Sequence, residues 1–199
     1  MIDKEKGHPF PEANHPAYFS PYGLEERITL NIRLFKSDDK TRIVAIYNQA
    51  IGEGAITTDL DEVTIADKED WFRGHDEERH PLFVIENEAG VVGWCSLLPW
   101  QSGEALAKTV QLLIFIEHGH LRKGYAEALL THAFEHVGMA GVKHILALLL
   151  EGNRPAIQLL AKFGFKLWGH LPEVADFGPI YCGQHIYGCE LRTQSSSDD

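Results

Sequence analysis

The segment Thr109 to Leu130, TVQLLIFIEHGHLRKGYAEALL, holds the densest set of residues able to do chemistry. An apolar stretch runs into a short polar loop, and Gly124 and Ala126 then open a helical pattern with basic Arg122 and Lys123 just ahead. The first amides of a helix have no acceptor inside it, and the helix dipole adds positive potential at that end. Small residues there let a phosphate approach the backbone, so the pattern predicts a site for a phosphate-bearing ligand. Taken alone, a glycine before a helix is also what an ordinary turn looks like.

Histidines and cysteines offer less. Of eleven histidines, His132 and His136 are four apart on one helix face, and His118 and His120 flank Gly119. Neither pair has the H-E-x-x-H arrangement or cysteine support, so no metal is expected. Cys95, Cys182 and Cys189 are odd in number and lack a C-x-x-C pair, which reads as structural thiols in a reducing compartment.

These groups need a scaffold, and the hydrophobic pattern supplies an alternation of strands and helices. Ile28 to Phe35 reads as a first strand, after which Asp38 or Asp39 can cap a helix carrying Ile43, Val44, Ile46 and Tyr47. A second helix is predicted from near Thr64 through Trp71 and Phe72. Leu82 to Glu86 and Val91 to Leu98 form a hairpin pattern, and Thr109 to Ile116 is apolar enough to be buried on both faces. Tyr125 to Val137 recurs at helical spacing, His144 to Leu150 is a strand, and Asn153 to Phe163 is a helix closed by Gly164. Lys166 to Leu171 and Tyr181 to Leu191 supply the last strands. The order implies an α+β fold, mostly antiparallel, with one strand–helix–strand crossover late in the chain.

At 199 residues with 44% apolar content, one domain is the natural partition. Residues 1–27, with four prolines, read as an extended arm, 28–192 as the folded domain, and 193–199 as a disordered tail. A net charge of -11 argues against nucleic acid as a partner. No apolar run approaches the ~20 residues of a membrane span, and the amino terminus lacks a secretory pattern, so no membrane association and a cytoplasmic location are expected.

The residues from about 29 to 191 resemble the GNAT superfamily, and within it the phosphinothricin acetyltransferase-like branch. The superfamily's pyrophosphate loop, Gln/Arg-x-x-Gly-x-Gly/Ala, is similar to Leu121, Arg122, Lys123, Gly124, Tyr125 and Ala126, with the first position not matched. A second match is NRPAIQLLAKFGF, Asn153 to Phe165, and weaker ones are Ile46-Tyr47-Asn48, Trp71-Phe72 and Gly93-Trp94. The resemblance implies a twisted sheet of about six to seven strands, splayed in the middle and flanked by about four helices. It implies acetyl-CoA as co-substrate, held by that loop, by Asn153 and Ala156, and by the backbone of Ile114, Phe115 and Ile116.

The implied reaction is direct attack of an amine on the thioester, with a small amino acid or analogue as acceptor. A protein amino-terminal acetyltransferase and a noncatalytic CoA-binding domain stay open as alternatives, as does a homodimer. The branch's Thr-Val-Glu reads Thr109-Val110-Gln111 here, and Leu160 stands where His or Tyr is common. Gln111 can orient a water without taking its proton. Glu117, with His118 beside it, is the replacement base by proximity alone, in a strand that the family usually bulges. Trp71, Trp94, Trp100 and Tyr181 either line an acceptor pocket or belong to the core.

Overall fold

The computed structural model describes residues 30–54 and 56–191, so the expected arm and tail lie outside the described residues. Seven strands form one sheet: β1 (Asn31–Leu34), β2 (Leu82–Asn87), β3 (Gly90–Pro99), β4 (Thr109–Ile116), β5 (His144–Leu150), β6 (Lys166–Asp176) and β7 (Tyr181–Glu190). Four helices accompany them: α1 (Lys40–Gly52), α2 (Glu69–Arg73), α3 (Tyr125–Met139) and α4 (Arg154–Lys162). The sheet order is β1-β2-β3-β4-β5-β7-β6, and every pairing is antiparallel except β4 with β5. That single parallel pair is the predicted crossover through α3, and the expected fold class holds. Among the described residues, no helix is long and apolar enough to cross a membrane.

Alternation along the strands divides the apolar side chains into two cores. Val110, Leu112, Ile145 and Ala147 join Leu129, Leu130, Ala133 and Leu160 beneath α3 and α4. On the opposite face Val84, Val91 and Trp94 pack against Ile43 and Ile46 of α1 and Phe72 of α2, with Leu113 and Phe115 at the margin. The outer strand β6 leaves Leu167, Trp168, Leu171 and Val174 exposed.

Several local expectations change. Residues 28 and 29 lie outside the described part, and β1 is regular only over Asn31–Leu34, although the Phe35 amide still bonds to the Leu82 carbonyl at 2.8 Å. Asp39 takes the N-cap position of α1 without capping it: its carboxylate instead accepts from the Lys36 amide at 2.6 Å and from Arg33. A salt bridge to a second element outcompetes the local cap here, since Arg33 also holds Glu86 of β2. The helix predicted from Thr64 starts only at Glu69, because Thr64 and Asp67 close a turn on each other through side-chain bonds. In β4 only Val110 and Leu112 are fully buried, and the half beyond them is partly open. Strand β6 continues past Leu171 to Asp176 across a register shift that takes up Glu173 at φ 52°.

Candidate active site

Strand β4 pairs with β5 only at Thr109, Val110 and Gln111, opposite His144, Ile145 and Leu146. Beyond that rung the two strands part: β4 stays bonded to β3 as far as Ile116, and β5 to β7 as far as Leu150. The result is a V-shaped opening whose inner edges are strand backbone. The β3–β4 register is unbroken from Pro99↔Val110 to Gly93↔Ile116, so the expected bulge is not in this pairing and alternation holds. Thr109 and Glu117 both bond to β3, through Trp100 and Val92 respectively. Odd-numbered residues of β4 therefore spend their backbone groups on β3; the even-numbered ones face β5, Leu112 at the last rung, and Ile114 and Ile116 turn theirs to the opening. Phe115, expected to contribute backbone there, is bonded the other way; its ring packs tilted against Trp94 and edge-to-face against Tyr47, at 4.8 and 5.1 Å between centroids.

At the wide end of the V the chain turns through His118 to His120 and enters the candidate phosphate loop. Arg122 and Gly124 adopt φ values of 60° and 84°, folding the loop so that α3 begins at Tyr125. The first helical bond is from the Ala128 amide to the Gly124 carbonyl, at 3.0 Å. No described residue accepts a hydrogen bond from the amides of residues 122–127, which makes this a concentrated run of free donors. Nothing lies within 4 Å of where a Cβ on Gly124 would stand, so the concavity is open to a ligand. Leu121 is about half exposed at the lip, whereas Tyr125 is buried and its hydroxyl accepts from the Asn87 amide at 3.2 Å. Asn153 caps α4 by accepting from the Ala156 amide at 3.2 Å.

On the α1/α2 face, the opening borders a cavity of about 130 Å³ lined by Tyr47, Val63, Lys68, Trp71, Trp94 and Leu113. Two of the four aromatic candidates, Trp71 and Trp94, are brought there; Trp100 lies just past the end of β3, and Tyr181 is exposed on β7. Trp94 is fixed by its indole N–H bonding to the Ile43 carbonyl at 3.1 Å. Gln111 lies on this face by parity with Leu113, half-buried, at the last rung before the strands part. Its amide makes no hydrogen bond to a described side chain.

Glu117 is occupied. Arg42 of α1 donates to its carboxylate at 2.8 Å, His120 approaches it at 3.0 Å, and the guanidinium holds its pKa below the ordinary glutamate value. A carboxylate held this way is a weak base and a good corner-piece. His118 is paired with Glu53 at 2.7 Å. Leu160 is buried in the α3/α4 core. Glu173 falls at the β6 irregularity, and Phe177 in the hairpin turn bonds back to Ile180.

One network at the cavity was not anticipated. The Tyr47 hydroxyl meets Thr57 Oγ1 at 2.5 Å and donates to Asp59 at 2.8 Å, and Lys68 donates to the same carboxylate at 2.8 Å while lying 4.9 Å over the Tyr47 ring. Burial and the Asp59 charge push the Tyr47 phenol up to about 12, so it is a donor at neutral pH. Asn48 locks the same loop with two bonds to the Val63 backbone. Tyr47 and Asn48 are legible in the sequence only as a motif, because their partners lie 10–21 residues away in a segment without periodicity.

Comparison with known proteins matches the acetyltransferase (GNAT) family over residues 42–165, most of the described chain. The chain belongs to the GNAT acetyltransferase family. It is 34% identical over 163 residues to YwnH of Bacillus subtilis (strain 168), which is named for phosphinothricin acetyltransferase, covering 81% of this chain and 99% of that one. An L-methionine sulfoximine/L-methionine sulfone acetyltransferase of Pseudomonas paraeruginosa is 28% identical, with 69% and 81% covered. A crystal structure described as a phosphinothricin N-acetyltransferase superposes with a TM-score of 0.78 at 33% identity, covering 83% of this chain and 100% of that one. This GNAT chain is thus an N-acetyltransferase by family, and relatives carry names for acetylating amino acid analogues.

Proposed function

We propose that this GNAT enzyme transfers the acetyl group of acetyl-CoA to the primary amine of a small, amino-acid-like acceptor. The observation that carries the proposal is the parting of β4 from β5 beside six unclaimed amides at residues 122–127. Those amides, with Arg122 and Lys123, suit a pyrophosphate. The free edge of Ile114 and Ile116 suits the amide groups of a pantetheine arm, which would stand in for the absent strand. Asn153 uses Oδ1 as a cap and keeps its amide nitrogen for the same arm, beside Ala156.

Bound in this way, acetyl-CoA supplies an acyl carbon activated by a thiolate leaving group. An inward-facing amide of β4 offers the donor that a developing oxyanion needs. Trp71 and Trp94 give the acceptor an apolar wall, and the cavity's size limits it to something small. Gln111 orients a water that carries the amine's proton away. Glu117 takes no part as base, being held by Arg42. Relatives named for phosphinothricin and methionine sulfoximine support an acceptor with an α-amine and a tetrahedral polar side-chain group.

Thiol release from acetyl-CoA, measured across phosphinothricin, methionine sulfoximine, methionine sulfone, plain amino acids and short peptides, tests this. Turnover confined to the amino acid analogues is expected. Turnover with peptides alone would replace the acceptor class, and a rise in melting temperature with acetyl-CoA but no thiol release would leave a binding protein.

A further inference from the structure

Glu151, His170 and His185 form a three-ligand cluster on the α4 face of the sheet, outside the cofactor opening. Their candidate ligand atoms all lie within 4.8 Å of one another, the single group of this kind among the described residues. The arrangement follows from register. His170 and His185 are cross-strand partners on β6 and β7, with ring centroids 5.0 Å apart. Glu151 follows β5, its amide bonds to the Gly183 carbonyl at 2.9 Å, and its carboxylate folds over Gly183. A Cβ on Gly183 would stand 2.6 Å from that carboxylate, so the missing side chain is what admits it.

Hydrogen bonding alone does not account for the cluster. His170 Nε2 meets Glu151 Oε1 at 2.5 Å, but His185 Nε2 stops 3.6 Å short of the same oxygen. His185 Nδ1 is buried and finds no partner among the described residues, so neither nitrogen of this ring is bonded. Two imidazoles and one carboxylate are a donor set for a divalent ion of borderline softness. Around a tetrahedral zinc ion, ligand atoms sit about 3.3 Å apart, given bonds of about 2.0–2.1 Å. The two separations from Glu151, 2.5 and 3.6 Å, bracket that distance, and the two histidine ligand atoms lie within 4.8 Å of each other, a gap that small rotations of the rings close on a bound ion. We infer that Glu151, His170 and His185 bind one divalent metal ion, zinc by preference, which ties the β6–β7 hairpin to the end of β5. The half-open surroundings leave room for water at the remaining position.

Calorimetric titration of untagged, chelator-treated full-length protein with zinc chloride tests this, with cobalt(II) absorption as a second readout. Expected are one equivalent bound per chain, a raised melting temperature, and at least about tenfold weaker binding in both His170→Ala and His185→Gln. His132→Ala, which alters a histidine pair elsewhere, should bind as the parent does. The proposal is overturned by no saturable binding up to about 100 µM zinc, a level at which specific three-ligand sites are occupied. It is equally overturned by binding that both ligand variants retain, or that His132→Ala removes.

Discussion

Gln111 donates and accepts but does not take a proton at neutral pH, and it stands on the cavity's face at the point where β4 and β5 part. Under the proposed function the acceptor must then arrive as free amine or lose its proton through water. Activity should rise with pH toward the acceptor's own pKa, about 9–10 for an alkylamine. Gln111→Ala should cost less than about tenfold in kcat, while Gln111→Glu should raise kcat/KM at pH 7 and level the profile. Rate profiles with two acceptors of different pKa check this: a plateau near pH 6–7 indifferent to the acceptor would mean that another group is the base. Glu117 separates from this role. Glu117→Gln should leave the profile in place and lower stability by about 1 kcal/mol, the scale of a partly exposed ion pair, read from urea midpoints. Proximity in sequence offered Glu117 as a base because nothing nearby announces Arg42, which reaches it from 75 residues away.

Strand β4 and the loop after it show which features a single sequence makes legible. The bounds of β4, α3 and β5 are readable because each is a dense apolar run closed by glycine or polar residues. Register is not, since it depends on which rung of β3 each residue meets; hence the absent bulge and the outward-turned backbone of Phe115. The start of α2 is illegible for a related reason, Thr64 and Asp67 being equally good at closing a turn or opening a helix. Gly124 carries a prediction at this scale. Its φ of 84° excludes proline, and alanine there meets no atom within 4 Å, so the cost is backbone strain of about 1 kcal/mol. Gly124→Ala should therefore weaken acetyl-CoA binding by about fivefold through a shifted loop, whereas Leu121→Ala, at the half-exposed lip, should change it less than about twofold. Dissociation constants for the two variants, with circular dichroism to confirm folding, decide the matter. Equal losses would relocate the pyrophosphate.

Across the whole molecule, the two cores on either face of the sheet supply the apolar burial, and the α1/α2 side also carries a half-buried histidine that composition does not reveal. His75 lies against Trp71, at 4.6 Å between centroids, and its Nε2 meets the hydroxyl of fully buried Ser96 at 2.7 Å. Burial disfavours the charged ring and pulls its pKa down to about 4. The unfolded chain, with an ordinary histidine, takes a proton below about pH 6.5 that the folded chain refuses until about pH 4. The contribution of His75 is therefore complete above pH 6.5, falls through the window from 6.5 to 4, and levels below it. Asp76 nearby, pulled down to about 2 by bonds from His80 and the 78–80 amides against the cost of burial, loses its own contribution only at lower pH, so the two are separable. Between pH 7 and pH 5 the expected loss from His75 is about 2 kcal/mol. His75→Gln keeps a partner for Ser96 and should be less stable than the parent at pH 7, yet its decline between pH 7 and pH 5 should be shallower by about that 2 kcal/mol. Urea unfolding of both proteins at the two pH values gives the comparison. Parallel declines would mean that His75 is protonated in the folded state and that another group sets the acid limit of this fold.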